Sequence, residues 1–107
     1  MQDWEWEVAD EHRIGEFVDA YTSGELSDDE RFTLMETILQ SSEDTPLPMD
    51  EQERWPEIVQ LLTRNARLHA YSIYYWSCVD ADTDDEVWRV TPYLRRIMSD
   101  VPDAFAP

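Results

Sequence analysis

The sequence predicts an all-α protein: one compact domain over residues 1–107, built as a bundle of four to five helices. Three observations carry that expectation. Apolar residues recur at helical spacing through most of the chain, and helix-start signatures stand at Ser27 and Thr91. Residues 61–79 contain no Asp or Glu although the chain has 25 acids, which marks that stretch as the central core element. Leu, Ile, Val and Phe are few for a chain this charged, but five Trp and five Tyr supply large buriable areas and favour a folded chain.

The first helix is expected over 10–23, with Ile14, Phe17, Val18 and Tyr21 on one face at i, i+3, i+4 and i+7 and Gly24 as its stop. Ser27-Asp28-Asp29-Glu30 has the capping-box form, so a second helix opens there. It is expected to run to residue 41 and to bury Phe32, Met35, Ile38 and Leu39. Residues 42–49 read as a loop, because Pro46 and Pro48 disfavour a continuing helix. Asp50 with Glu53 forms a second candidate capping box, yet Pro56 lies too deep for a first turn begun at Asp50. Either a short turn at 50–54 precedes a helix with Pro56 near N1, or that helix is kinked. Ile58, Val59, Leu61 and Leu62 supply its buried face.

Residues 66–79 admit two readings. Tyr71 to Val79 is rich in strand formers and, paired with Val87–Val90, gives a hairpin over 72–90 and an α+β fold. Against this, Leu68, Tyr71, Tyr75 and Cys78 share a helical face. Ile73, Tyr74 and Trp76 then make the segment apolar nearly all round, as a central buried helix is. The helical reading is preferred. Thr91-Pro92 reads as an N-cap/N1 pair opening a last helix over 92–100, with Leu94, Ile97, Met98 and Val101 inward. The ends, 1–7 and 102–107, are expected to be loose. Trp4 and Trp6 either close over the core as a lid, which is preferred, or form an exposed arm.

The chemistry is dominated by charge. Twenty-five acids stand against eight arginines and no lysine, for a net charge of −17. Such a field repels nucleic acid and anionic membranes and attracts basic surfaces. The arginines are scattered, and Arg64 and Arg67 are expected to pair with acids from other helices rather than to track phosphates. No run approaches the ~18 apolar residues of a membrane span, and the N-terminus has no signal-peptide pattern, so a cytoplasmic protein is expected.

Catalytic and cofactor sites are not expected. Two glycines, Gly15 and Gly24, cannot build a phosphate-binding fingerprint. No Ser lies in a nucleophile elbow, and without lysine there is no Schiff-base nucleophile. Cys78, the single cysteine, reads as a buried small hydrophobe. His12 and His69 have no metal-ligand spacing, and His69 reads as a core or boundary residue. Asp80, Asp82 and Asp84 begin like a calcium loop. Asp85 then stands where the turn needs Gly, and Thr91 where a bidentate Glu belongs, so no tight metal site is expected.

What remains is recognition. A net charge of −17 exceeds the magnitude of ~2–8 sufficient for solubility. The expected function is binding, and consequently inhibition, of a basic protein such as a nuclease toxin or a nucleic-acid-binding protein. The chain would act as an immunity-type inhibitor or as a DNA mimic. The candidate partner-binding residues are Asp28 and Asp29 at the second helix start, Tyr74 and Tyr75, and the acidic turn Asp80, Asp82, Asp84, Asp85 and Glu86. The alternative is a non-catalytic adaptor or structural subunit whose acidity reflects general adaptation. Ile73-Tyr74-Tyr75 before an acidic stretch resembles the Ile-Tyr-Tyr of DNase-colicin immunity proteins. That likeness covers three residues: Trp76 replaces the following proline, and Tyr71 stands where that family has an acidic contact residue.

Overall fold

The computed structural model describes residues 13–23, 25–78 and 88–105. The chain is all-α, with five α-helices among the described residues: α1 Ile14–Thr22, α2 Asp28–Asp44, α3 Trp55–Arg64, α4 Ala70–Ser77 and α5 Thr91–Asp100. Short 3-10 turns stand at Met49–Glu51 and Pro102–Phe105, and the described residues contain no strand. Residues 72–77 belong to α4, which rules out the alternative hairpin over 72–90. The expectations for Trp4 and Trp6, residues 1–7, His12, Gly24 and the Asp80–Glu86 turn lie outside the described residues. None of the described helices is long and apolar enough to cross a membrane. The chain divides into two compact units, Met1–Trp55 and Pro56–Pro107.

In the first unit α1 packs on α2. α1 buries Phe17, Val18 and Tyr21 while Ile14 stays half-exposed, and its N-terminal Arg13 both pairs with Glu16 at 3.0 Å and lies over the Phe17 ring at 5.0 Å. α2 opens with the complete capping box. The Glu30 amide donates to Ser27 Oγ at 3.2 Å, and Glu30 Oε1 accepts from the Ser27 amide at 2.9 Å, which satisfies two of the orphan donors of the helix start. Its buried stripe is Leu34, Met35, Ile38 and Leu39, followed by Ser41 and Ser42. Phe32, expected inside, sits on the flank of that stripe and is half-buried, and Leu34 takes the core position.

The helix also runs three residues past the expected stop at 41. Buried Ser41 turns its hydroxyl back onto the Thr37 carbonyl at 2.8 Å, and Gln40 bridges to Asp44 at 2.9 Å. Pro46 then forces Thr45 into an extended conformation (φ −72°, ψ 143°), and the helix ends there. Asp50 lies inside the Met49–Glu51 3-10 turn, so it caps no α-helix and the Asp50–Glu53 box is absent. The short turn preceding a helix with Pro56 near its start is the arrangement observed.

In the second unit α3 buries Ile58, Leu61 and Leu62 and leaves Val59 half-buried, while α4 and α5 pack against one another. The last helix begins at Thr91 rather than Pro92, with Val90 as N-cap. Thr91 therefore does not cap as expected; its fully buried hydroxyl ties α5 to α4 instead. It donates to the Trp76 carbonyl at 2.8 Å and accepts from the Trp88 amide at 3.1 Å. Arg95 completes the junction: Nε reaches the Ser77 carbonyl at 2.7 Å and Nη2 the Cys78 carbonyl at 3.0 Å. A cation on the last carbonyls of α4 satisfies orphan acceptors and complements the helix dipole. Cys78 ends α4 in the left-handed region (φ 51°, ψ 49°), the only non-glycine positive φ among the described residues. It is half-buried rather than buried as expected, with Sγ 3.5 Å from Thr91 Oγ1.

Leu94 and Ile97 face inward, while Met98 and Val101 are half-buried. Residues 102–105 form a 3-10 turn next to α5 with no buried residue, and 106–107 lie outside the described residues.

Two substitutions test these junctions. Ser27→Ala removes a cap acceptor and is expected to lower stability by about 1 kcal/mol in urea titration; an unchanged midpoint contradicts the cap. Thr91→Val keeps the side-chain shape but strands the Trp76 carbonyl and the Trp88 amide. A loss of about 2 kcal/mol or more is expected, larger than for Ser27→Ala, because both groups lose their hydroxyl partner in a buried site. Equal losses in parallel melts of the two variants contradict that ordering.

Candidate functional site

α4 is the element whose faces differ most from expectation. It buries Ser72, Ile73, Trp76 and Ser77, preceded by buried His69, a stripe at i, i+3, i+4, i+7 and i+8. Tyr71, Tyr74 and Tyr75 lie on the opposite side and are 66%, 50% and 47% exposed. The segment is thus not buried all round. Its inner face is chosen by the small residues: Ser77 turns its hydroxyl onto the Ile73 carbonyl at 2.6 Å, leaving room for close packing where a tyrosine ring would not fit.

Two of these tyrosines are backed by rings. Tyr71 stacks on Tyr75 at 6.2 Å, Tyr75 meets Trp88 at 5.2 Å, and Trp88 lies 4.5 Å from Trp76. Such a stack fixes the outer ring orientation before any partner arrives, and rigid exposed aromatics are common interface anchors. Tyr74 and Tyr75 were legible as candidates; Tyr71, the most exposed, was expected in the core.

Asp28 and Asp29 occupy the first turn of α2, both exposed. Their position is doubly favourable, since acids near a helix N-terminus complement its dipole while remaining open to a partner. Arg31 reaches Asp28 only at 3.9 Å. These two acids belong to the first unit and Tyr74 and Tyr75 to the second. Asp80, Asp82, Asp84, Asp85 and Glu86 lie outside the described residues.

The two units differ sharply in charge. Residues 1–55 carry 17 acids and 3 arginines, for −14, whereas residues 56–107 carry 8 acids and 5 arginines, for −3. Every arginine of the first unit meets a carboxylate: Arg13 with Glu16, Arg31 with Asp28, and Arg54 with Asp19 at 2.8 Å. In the second unit Arg64 and Arg67 are exposed with no carboxylate partner among the described residues, contrary to the expected cross-helix pairing. Glu57 is the sole acid near them in sequence, so pairing had little to draw on.

The first unit also holds a half-open cleft of about 170 Å³ lined by Ile14, Thr45, Leu47, Gln52, Glu53 and Arg54. Nothing in the sequence singles it out, because its walls come from segments thirty or more residues apart. No three His, Cys, Asp or Glu side chains gather into a metal-binding group among the described residues. Comparison with family models, curated proteins and solved structures finds no match to the chain.

His69 is fully buried at the start of α4, and loss of solvation lowers its pKa from 6.5 to about 4. The unfolded chain therefore takes up this proton first as the pH falls. The stability tied to neutral His69 is complete above pH 6.5 and is lost as the pH drops towards 4, by about 3 kcal/mol in full. Denaturation of wild type and His69→Gln between pH 7 and pH 4 isolates this group from the carboxylates. The wild type is expected to lose stability relative to the variant across that window; parallel curves contradict it.

Proposed function

We propose that the chain is a non-catalytic binding protein that forms a stoichiometric complex with a basic protein surface and thereby blocks it. The partner classes that suit this chemistry are a nuclease toxin with a basic cleft and a protein whose groove holds DNA. The single observation that carries the reading is the first unit's charge. Its net −14 includes nine exposed acids among the described residues, while each of its three arginines is already matched to a carboxylate. Solubility alone needs a net magnitude of ~2–8 for a whole small domain. A concentrated field of one sign accelerates encounter with an opposite surface, by up to ~10–1000-fold at low salt.

The exposed tyrosines supply what charge lacks. Electrostatic steering sets the association rate, whereas residence depends on desolvated anchors, and Tyr is among the residues that most often serve. Tyr74 and Tyr75 stand at half exposure on a braced helix, and Tyr71 extends the same face.

A partner isolated by pull-down permits stopped-flow measurement. Asn at positions 28 and 29, and separately at 82, 84 and 85, is expected to slow association several-fold at low salt and to flatten its salt dependence. Tyr74→Ala is expected to raise the dissociation rate and leave association nearly unchanged. Association rates independent of both salt and these acids defeat the electrostatic reading.

A further inference from the structure

We propose that the cleft of the first unit seats one lysine side chain of the basic partner, with its stem against Ile14 and Leu47 and its ammonium between Glu53 and Gln52. This rests on the basic-partner reading above and names the contact group within it.

Size sets the class of occupant. At about 170 Å³ the cleft is well below the ~300 Å³ at which pockets begin to hold a drug-sized ligand, so it suits a single side chain. Polarity sets the chemistry. Gln52 is 8% exposed, and its Nε2 is committed: it donates to the Leu47 carbonyl at 3.0 Å and the Ser42 carbonyl at 3.1 Å, with Met49 Sδ at 3.7 Å. Three acceptors around one end of the amide fix that end as nitrogen. The other end, Oε1, is then a buried acceptor without a donor among the described residues. The fold leaves it wanting an N–H or O–H. Oε1 is shielded from solvent in the free protein, so the side chains lining the cleft must give way for an ammonium to reach it.

Charge selects a cation among possible donors. Glu53 is exposed and forms no ion pair among the described residues. Arg54 on the same rim is neutralised by Asp19 at 2.8 Å. A carboxylate ligand would have to draw Arg54 away from Asp19 and face Glu53 inside a unit of net charge −14. An ammonium meets no such opposition. Shape separates lysine from arginine: the compact ammonium brings three donors to one carboxylate and one amide oxygen, whereas the broad planar guanidinium fork asks for a matching pair of acceptors. The four-carbon stem covers Ile14 and Leu47, as long cationic side chains do at apolar surfaces.

The test is an NMR titration of the labelled full chain with tetralysine and with tetraarginine at ~0.15 M salt, where non-contact attraction is largely screened. Tetralysine is expected to shift the Gln52 side-chain amide and the Ile14 and Leu47 methyls saturably, while tetraarginine shifts acidic residues broadly. Glu53→Gln is expected to weaken tetralysine several-fold, and Glu51→Gln, the same charge change outside the cleft, to leave it unaltered. Shifts spread evenly for both peptides, or equal effects of the two variants, overturn the lysine seat and leave the acidic-surface reading standing. Absence of any shift with either peptide overturns both.

Discussion

Seventeen uncompensated negative charges work against the compaction of 107 residues, and the rest of the structure accommodates that constraint. With so much of the chain required to stay in water, few positions remain for large aliphatic side chains. The buried faces therefore draw on hydroxyl residues: Thr37, Ser41, Ser42, Ser72, Ser77 and Thr91 are all buried. Among these, Thr37, Ser41 and Ser77 return their hydroxyls to carbonyls of their own helices. Polar burial then carries little penalty, because the donor is spent within the helix.

One of the few cations serves a helix end. Arg95 is not paired with a carboxylate but placed across the last carbonyls of α4, where one guanidinium bonds two acceptors that the helix itself cannot satisfy. Together with the Thr91 hydroxyl it holds a helix end that terminates on a left-handed cysteine, a conformation that costs about 1–2 kcal/mol without glycine. Position within the polar network, rather than apolar area alone, explains why α4 stops at Ser77.

Legibility from sequence followed the range of the interaction concerned. The Ser27–Glu30 box and the proline stop after Thr45 are local, and the all-α class was readable from them and from helical periodicity. The faces of α4 were not, because a segment apolar on all sides does not reveal which side meets α5. That choice rests on Ser72 and Ser77, residues whose value is their small size. Thr91 looked like a cap because Thr-Pro usually is one, yet its hydroxyl reaches a carbonyl fifteen residues earlier. Of the candidate partner residues, Asp28, Asp29, Tyr74 and Tyr75 are at the surface as a contact role requires, whereas Gln52 and its cleft depend on contacts that no local pattern announces.

The packing of Trp76 on Trp88 has an optical consequence. Two indoles with centroids 4.5 Å apart and planes inclined at 53° couple as excitons. Their transitions split into a pair of circular dichroism bands of opposite sign, superimposed on the helical spectrum. Because one indole belongs to α4 and the other leads into α5, the couplet reports that single junction. It should vanish when the two helices part, even if each stays helical.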